Sequence, residues 1–238
     1  LSKDDASTIM KMVDMHLEEL PTRSQDYLKV LWDLSEHSGG APVALKDVAG
    51  RLEQKVPTAS EAIKKLAAQG LVEHERYQGV SLSPAGRELA MQMVRRHRLL
   101  ETFLVETLDY SWDEVHEDAD RLEHACSDRF IGRIDALLGS PDRDPHGDPI
   151  PDVGGGIEDL GTLTLASAPL DAPVTVERVC DEDPDLLRYL DRFGVELGNE
   201  LRVSDSVAGL LTVQTEGGEM SLAEVAAREI TVRLASNN

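Results

Sequence analysis

Six side chains that can bind divalent cations recur at helical spacing in the middle of the chain. His97 and Glu101 stand four residues apart in RRHRLLETFL, so on a helix they share one face. The next segment, EVHEDADRLEHACSD, carries four more at relative positions 0, +4, +7 and +8: His116, Asp120, Glu123 and His124. At about 100° per residue, these four lie on one side of a helix. An HxxxE pair alone is usually a surface pair, but imidazole and carboxylate both bind divalent cations, and the joint pattern predicts two clusters of metal ligands.

A second group of residues, further upstream, indicates DNA binding. Two short helical patterns, Leu45 to about Glu53 and PTASEAIKKLAAQG, are joined by a short turn and predict a helix-turn-helix. This motif also occurs in domains that never touch DNA, but here LVEHE and VSLS follow at once as the two strands of a wing. The candidate DNA contacts lie on the second helix and at the wing tip: Pro57, Thr58, Ser60, Glu61, Lys64, Lys65, Arg76, Tyr77 and Gln78.

The remaining helices must position these side chains. Capping-box spacing predicts helix starts at three pairs: Thr22 with Gln25, Thr58 with Glu61, and Ser111 with Glu114. A long helix is predicted to open at Ser83-Pro84 and to run to about Leu108, and the helix after Ser111 to about Cys126. The amphipathic segment from Ser127 to Leu138 adds more apolar residues than one small core needs, which predicts a dimer interface.

The C-terminal part changes from helical to strand-like patterning. Residues 140–161 are rich in Pro, Gly and Asp and read as a linker. The segments TLTLAS, PVTVERV, ELRVSD, GLLTVQT and EITVRLA are predicted strands, with DPDLLRYLDRFG as a helix between two of them. We therefore expect an N-terminal extension over 1–19, a winged-helix domain over 20–91, a metal-binding and dimerisation domain over 92–153, and a small β-barrel domain over 160–238.

Composition limits the partners of the chain. It has 238 residues and a formal net charge of -21, which argues against a nucleic-acid-binding surface, yet residues 20–90 balance about nine acids with nine bases. No apolar run approaches the length of a membrane span, and the N-terminus does not have the pattern of a secretory signal. Only two cysteines occur, Cys126 and Cys180, so we expect a reducing, cytoplasmic setting. We also expect no membrane partner and no small-molecule substrate.

In its motifs and their order, the sequence resembles the diphtheria toxin repressor family, and within it the manganese-sensing branch. The resemblance runs from Asp26 to Pro151 and rests on QDYLKVLWDL, PTASEAIKKLAAQGLVEHE, RRHRLLETFL, EVHEDADRLEHACSD and DPHGDPIP. The C-terminal strands resemble the SH3-like (FeoA-like) domain of the family by pattern alone. The resemblance implies a mainly α fold with a β domain: a winged helix-turn-helix, a helical dimerisation domain and a small β-barrel.

The same resemblance implies the metal ligands. The ancillary site of the family corresponds to His97, Glu101 and His116. Its primary site corresponds to a second set of four residues: Asp26, Asp120, Glu123 and His124. Members with the third domain also donate side chains from it to the ancillary site, and here the candidates are Glu182, Asp183 and Asp185.

Two positions distinguish the metal branches. Iron sensors of the family carry methionine where Asp26 stands and cysteine where Asp120 stands, whereas oxygen donors suit Mn²⁺. Short two-domain manganese sensors have a second acid at the position of Lys29, so its absence here favours two separated sites over a closely spaced pair. The implied function is a Mn²⁺-activated dimeric repressor of palindromic operators, which we expect to control manganese homeostasis genes.

Three alternatives remain open from the sequence. An iron(II)-responsive repressor of the same fold would bind Fe²⁺ at the same ligands. A metallohydrolase is disfavoured because no HExxH motif occurs and because a catalytic metal needs an open coordination position, so we expect no enzymatic activity. An interaction module that never binds DNA is the third and weakest alternative.

Overall fold

The structure, a computed structural model, describes residues 16–75, 78–158 and 160–235. Residues 1–15, most of the expected N-terminal extension, and the wing-tip residues Arg76 and Tyr77 lie outside the described residues. The chain divides into two compact units. Unit 1 comprises Leu1–Arg96 with Pro151–Gly156, and unit 2 comprises His97–Ile150 with Ile157–Asn238.

Unit 1 contains the predicted winged helix-turn-helix. After a 3-10 turn at Leu17–Glu19 come helices α1 (Thr22–His37), α2 (Leu45–Arg51) and α3 (Val56–Ala68), and then strands β1 (Val72–Glu75) and β2 (Gly79–Leu82). β1 and β2 pair antiparallel, and β2 also forms one bridge to residue 43. The helices meet through the apolar stripes that the spacing predicts, and their fully buried members include Leu28, Leu31, Val48, Ile63 and Leu66.

Two of the predicted capping boxes in unit 1 are wrong, although the helices are present. The side-chain amide of Gln25 donates to the carbonyls of Leu17 and Leu20, at 3.0 and 2.9 Å, and no side chain caps α1. α3 begins at Val56, with proline in its first turn, so Thr58 lies inside the helix. Proline is well suited to the first turn because its missing N–H would have no partner there, and this moves the helix start two residues upstream of Thr58.

Helix α4 (Pro84–Leu108) has the bounds that the sequence predicts and contributes residues to both units. Its start is held by Ser83, whose hydroxyl donates to the Gly70 carbonyl at 2.6 Å and accepts from the Gly86 amide at 3.1 Å. A Cβ on Gly86 would lie 1.8 Å from the Leu71 carbonyl oxygen, so only glycine allows this close packing of α4 on the end of α3.

Two shorter helices complete the helical part of unit 2. α5 (Val115–Glu123) ends three residues before the predicted end at Cys126, and Ser111 bonds the Glu114 carboxylate at 2.8 Å just before it begins. α6 (Asp128–Leu138) is capped by Ser127, whose hydroxyl accepts the Phe130 amide, and ends at a left-handed Gly139. The core between α4, α5 and α6 is apolar and includes Leu99, Leu100, Val115, Ile131 and Ile134.

The C-terminal part of unit 2 is the predicted β domain. Its elements are β3 (Pro173–Val179), α7 (Pro184–Arg192), β4 (Glu200–Val207), β5 (Leu210–Thr215), β6 (Gly218–Ala223), α8 (Glu224–Ala227) and β7 (Ile230–Leu234). The five strands form one antiparallel sheet in the order β6-β5-β4-β3-β7. Inward-facing residues of alternate positions, such as Val174, Val176, Val203 and Val213, build its core.

One predicted strand is wrong and one strand was missed. TLTLAS forms a 3-10 turn, Leu165–Ser167, because Thr164 and Ser167 bond each other's backbone groups in a local capping box, and only Thr164 bridges to β7. β6 was missed because its sequence, GEMSLA, opens with glycine and glutamate, which are uncommon in strands. Among the helices of the described residues, none is long and apolar enough to cross a membrane.

Candidate metal centre

The predicted ancillary ligands come together between α4 and α5. On α4, Nε2 of His97 lies 2.9 Å from Oε1 of Glu101, as the one-turn spacing requires. On α5, Nδ1 of His116 lies 3.2 Å from the same oxygen and 3.3 Å from His97 Nε2. Glu101 is fully buried and His97 nearly so, while His116 is about a third exposed. Two imidazole nitrogens, one from each helix, thus lie around a single carboxylate oxygen of Glu101.

The other nitrogen of His97 faces the residues predicted for the primary site. His97 Nδ1 lies 2.7 Å from Oε2 of Glu123 and 3.3 Å from Oδ1 of Asp120, and His124 Nε2 lies 3.5 Å from Oε1 of Glu123. The fourth predicted member, Asp26, stands half-buried on α1 of unit 1. That Asp26 completes this set stays a prediction from the sequence.

The β domain supplies Asp181, two residues after β3 ends. Its Oδ2 lies 2.8 Å from His116 Nδ1, and together with His97, Glu101 and His116 it forms a group whose ligand atoms all lie within 4.8 Å of one another. The predicted donors Glu182, Asp183 and Asp185 are its exposed neighbours.

Two of these neighbours make other contacts. The Asp183 carboxylate accepts the amides of Asp185 and Leu186 and so caps α7, and Asp185 pairs with Arg188 at 2.6 Å. A role for Glu182, Asp183 or Asp185 as ligands stays a prediction.

The loop over residues 144–150 carries two further candidate ligands, which the sequence reasoning missed. Oδ1 of Asp144 accepts the amides of His146 and Asp148, both at 2.9 Å, which folds the loop back on itself. The loop lies against β3: the Val179 amide donates to the His146 carbonyl at 2.9 Å, and a Cβ on Gly147, at φ +90°, would lie 2.1 Å from a β3 carbonyl oxygen. The β domain thus sets the position of this loop.

Two arginines neutralise one buried acid of the loop, Asp148. Arg98, on α4, donates to the Pro149 carbonyl at 2.6 Å and to Asp148 at 3.1 Å, and Arg178, on β3, lies 2.7 Å from the same carboxylate. All three charged side chains are largely buried. Asp148 is therefore a structural anchor, whereas the second oxygen of Asp144 comes no nearer to Arg98 than 4.0 Å.

Two buried polar atoms face each other across the gap between helix and loop. Nδ1 of His146 lies 3.8 Å from Oε2 of Glu101, beyond hydrogen-bond distance, and neither atom has a hydrogen-bond partner in the part of the chain that the structure describes. Glu101, Asp144 and His146 form a second group with ligand atoms within 4.8 Å. Buried polar groups are normally paired. Two unpaired ligand atoms, a nitrogen and an oxygen, that face each other in this way are suited to bind one divalent cation.

The charges of the centre are strongly coupled. Burial alone raises the pKa of Glu101, but the neighbouring histidines, His97 first, hold it well below its ordinary value. Burial lowers the pKa of His116 and of His146, yet nearby carboxylates, Asp181 for the first and Glu101 for the second, raise each to about 10. Both rings are therefore protonated at neutral pH, and a cation that binds them must displace their protons.

Asp144 differs from the other acids of the centre. Its burial, and then the charges of Asp148 and Glu101, raise its pKa well above the ordinary value. By contrast, His116 lowers the pKa of Asp181 against the opposing effect of burial. A cation beside Asp144 would offset both its burial and the repulsion from these charges.

An acidic cleft of about 950 Å³ opens onto the centre. His116 and Asp181 lie on its wall, and the other charged groups that line it are mostly carboxylates: Asp109, Asp113, Glu114, Glu117, Asp118 and Glu182, with Arg121 and Arg188. The field of such a cleft attracts cations.

The predicted DNA contacts are mostly at the surface of unit 1. On α3, Pro57, Thr58, Glu61, Lys64 and Lys65 are exposed and Ser60 is half-buried, and Gln78 is exposed at the start of β2. Lys64 pairs with Glu61 at 2.7 Å. An exposed helix face with two lysines, followed by a wing, is the arrangement that reads a major groove.

Three family comparisons match successive parts of the chain. Residues 19–80 match the "Iron dependent repressor, N-terminal DNA binding domain", and residues 83–152 match the "Iron dependent repressor, metal binding and dimerisation domain". Residues 163–234 match the "FeoA domain". These matches agree with the order of elements found in the two units and confirm the predicted fold class.

Individual relatives match over nearly the whole chain. The iron-dependent repressor IdeR of Mycobacterium leprae is 33% identical over 220 residues, which are 85% of this chain and 93% of the relative. The diphtheria toxin repressor of Corynebacterium diphtheriae is 29% identical over 234 residues, covering 91% and 99%. A solved manganese-dependent transcriptional repressor in complex with manganese is 44% identical, with a TM-score of 0.82 and coverage of 89% and 100%. These proteins are repressors and not enzymes, and the chain belongs to the diphtheria toxin repressor family of metal-dependent transcriptional repressors.

Proposed function

We propose that this protein is a Mn²⁺-activated dimeric repressor that binds palindromic operators and controls manganese homeostasis genes. The observation that carries the proposal is the donor set around Glu101: imidazole nitrogens and carboxylate oxygens on all sides. Neither Cys126 nor Cys180 belongs to any group of candidate ligands among the described residues. Hard oxygen donors with imidazole suit Mn²⁺, whereas thiolates favour softer metals. The 44% identity to a manganese-dependent repressor supports the same metal.

When bound, the ion would supply positive charge to a region crowded with carboxylates. Glu101, His97 and His116 would hold it on the helical side with Asp181, and His146 would approach from the loop. The ordered arrangement of α4, α5 and the β domain would then be favoured over looser ones, which shifts the population toward the DNA-binding form. The predicted set of Asp26 with Asp120, Glu123 and His124 is part of this proposal, because it would link the metal to the DNA-binding domain.

Dimerisation is supported by apolar side chains that unit 2 leaves exposed. Ile131 and Ile134 of α6 are buried in the core, but Phe130 and Leu137 of the same helix are 48% and 66% exposed, as is 38% of Leu122 on α5. Exposed large apolar residues grouped on one domain mark an interaction surface. A two-fold dimer reads two half-sites, so the operator should be a near-palindrome. Acting on DNA with free thiols, the protein would work in the cytoplasm.

Selection of DNA from a random library tests the proposal without knowledge of the genome. We expect the protein with Mn²⁺ to enrich a palindromic sequence, and a chelator to abolish binding to it. At a constant protein concentration, DNA binding should depend only on the Mn²⁺ concentration and should reach half its maximum at a defined Mn²⁺ concentration. If the enriched DNA is bound equally well after chelation, or if no sequence is enriched with Mn²⁺, the proposal is wrong.

An Fe²⁺-responsive repressor is the second candidate, because the relatives from Mycobacterium leprae and Mycobacterium bovis are named iron-dependent repressors. The same operator titrated with Fe²⁺ under anaerobic conditions separates the two. Activation at lower free Fe²⁺ than free Mn²⁺ would favour iron, and the reverse order would favour manganese.

A further inference from the structure

The exposed side of α3 carries a single acid among basic and neutral residues. Its exposed positions include Pro57, Thr58, Glu61, Lys64 and Lys65, and its opposite side is buried in the core of unit 1. Glu61 is the only acidic residue of the helix. Because DNA carries one phosphate charge for about every 1.7 Å of duplex, a carboxylate that faces it is repelled unless a donor binds it.

Glu61 lies where a recognition helix meets the base edges. The helix begins at Val56, so Glu61 lies within its first two turns, and the N-terminal residues of such helices contact bases in the major groove. The stripe from Pro57 to Lys65 is about 12 Å long, which is about the width of that groove, and Glu61 lies at its middle. The Glu61 side chain is 68% exposed, so a base edge can approach it.

Lys64 neutralises this carboxylate and still leaves part of it available. Its Nζ lies 2.7 Å from Oε1 of Glu61. The hydrogen bond from Lys64, together with the charges of Lys64 and Lys65, lowers the pKa of Glu61, so the carboxylate is ionised at neutral pH. An ionised carboxylate can only accept hydrogen bonds, and Lys64 occupies one of its two oxygens. The lone pairs of Oε2 therefore remain for a donor on the DNA.

The chemistry of the major groove limits that donor to two bases. Cytosine N4 and adenine N6 are the base amino groups that donate there, and adenine presents its N7 acceptor beside N6, which repels a carboxylate. We propose that Glu61 is a specificity-determining residue, which selects a C·G base pair in each operator half-site by accepting a hydrogen bond from cytosine N4. This inference rests on the operator binding of the proposed function, but not on the identity of its metal.

Selection from a random DNA library with the wild type and with Glu61→Gln tests the inference. The selection is run with Mn²⁺ and, anaerobically, with Fe²⁺, so that the base preference is read with either metal. We expect the wild type to require one C·G pair per half-site. In Glu61→Gln this position should shift toward A·T, because an amide can bind adenine N6 and N7 together. An unchanged C·G preference in Glu61→Gln would overturn the inference, whereas the metal dependence of wild-type binding reports separately on the proposed function.

Binding measurements on the selected operator give the size of the effect. Replacement of the C·G pair by T·A should weaken wild-type binding by about 10- to 100-fold, whereas Glu61→Gln should bind the two operators nearly equally. Because the variant loses a negative charge, it should bind unrelated DNA at least as tightly as the wild type, which a misfolded helix would not do. Equal discrimination by the two proteins would contradict the role of Glu61.

Two further variants serve as controls. Glu88→Gln removes one exposed acid from α4 in the same unit and should keep the C·G preference. Lys64→Gln removes the neutralising charge but keeps the carboxylate, so we expect weaker binding to every sequence with the C·G preference retained. Loss of the preference in Lys64→Gln and its retention in Glu61→Gln would assign the choice of base to Lys64 instead.

Discussion

The two oxygens of Glu101 lie in different surroundings although they belong to one carboxylate. Oε1 faces the helical half of the centre and lies 2.9 Å from His97 and 3.2 Å from His116. Oε2 faces the loop half, where Nδ1 of His146 lies 3.8 Å away and no hydrogen bond is formed with the described residues. In the helical half, the ligand atoms hydrogen-bond to one another. In the loop half, the two facing atoms of Glu101 and His146 do not.

This asymmetry identifies the half of the centre that depends most on a cation. In the helical half, imidazole and carboxylate groups neutralise one another across short distances, so protons can replace the metal there. In the loop half, burial first and then the charges of Asp148 and Glu101 raise the pKa of Asp144, and neighbouring positive charges offset this only in part. We therefore expect the loop half to gain most from the ion.

The dependence of metal affinity on pH should be the largest effect. The pKa of His116 and of His146 is raised to about 10, so both are protonated at neutral pH and each must lose a proton to bind Mn²⁺. Affinity should fall as pH falls, by about tenfold per unit for each proton released, which is roughly 10⁴-fold between pH 8 and pH 6. Calorimetry in buffers of different ionisation enthalpy measures the number of protons released per bound Mn²⁺ ion.

Single variants assign one proton to each half. His116→Gln, in the helical half, and His146→Gln, in the loop half, should each release about one proton fewer per ion than the wild type. A pH-independent affinity in the wild type would contradict the protonation of both rings, and an unchanged slope in one variant would remove that residue from the centre.

Glu101→Gln should damage both halves at once. The amide cannot carry the charge that His97, His116 and the cation share, so we expect Mn²⁺ affinity to fall by more than about 100-fold and Mn²⁺-dependent operator binding to disappear. Glu106→Gln, on an exposed position of the same helix, is the matched control and should bind like the wild type. Equal affinity of the two variants would exclude Glu101 as a ligand.

Gly147→Ala should separate the loop from the β domain. Its backbone is in the left-handed region, and the added Cβ would lie 2.1 Å from the Glu177 carbonyl oxygen, so we expect a loss of roughly 2 kcal/mol in the free energy of unfolding. Gly50→Ala, on α2 with open space around the new Cβ, should be neutral or slightly stabilising. Chemical denaturation compares the two, and equal stabilities would contradict the close contact.

Asp144→Asn should have the smallest effect on stability and the opposite sign. A buried carboxyl whose pKa is raised on folding costs stability at every pH above its unfolded pKa, so replacing it with an amide should stabilise the metal-free protein at neutral pH by roughly 1 kcal/mol. That corresponds to a Tm higher by about 2–4 °C for a chain of this size, together with weaker Mn²⁺ binding. Asp142→Asn, at an exposed position, controls for net charge. A lower Tm in the metal-free Asp144→Asn protein would show that the Asp144 carboxyl does not destabilise the metal-free fold.

The same contrast explains what the sequence could predict. Spacing alone predicted that His97 and Glu101 share one helix face, because a helix repeats every 3.6 residues. The addition of His116 to this set came from the family resemblance, and the role of the three as ligands stays a prediction. The bounds of α4 followed from Ser83-Pro84 for an equally local reason. The matches to the three families confirm the predicted fold class.

The loop half could not be found in this way. DPHGDPIP was recognised as a family mark, but the position of its Asp144 and His146 depends on packing against β3, which no local pattern encodes. The sequence offered Glu182, Asp183 and Asp185 as donors and missed Asp181 beside them, because the placement of Asp181 depends on where β3 ends and α7 begins. Long-range packing, more than local propensity, decides which acid of such a run points inward.

We propose that one divalent cation, held at Glu101 between helix and loop, activates the repressor. Anomalous diffraction from crystals grown with Mn²⁺, recorded near the manganese absorption edge, tests this proposal. We predict an anomalous peak within coordination distance of Glu101, in contact with Nδ1 of His146. If the protein binds operator-length DNA in the presence of Mn²⁺ but its crystals show no anomalous peak near Glu101, this proposal is wrong.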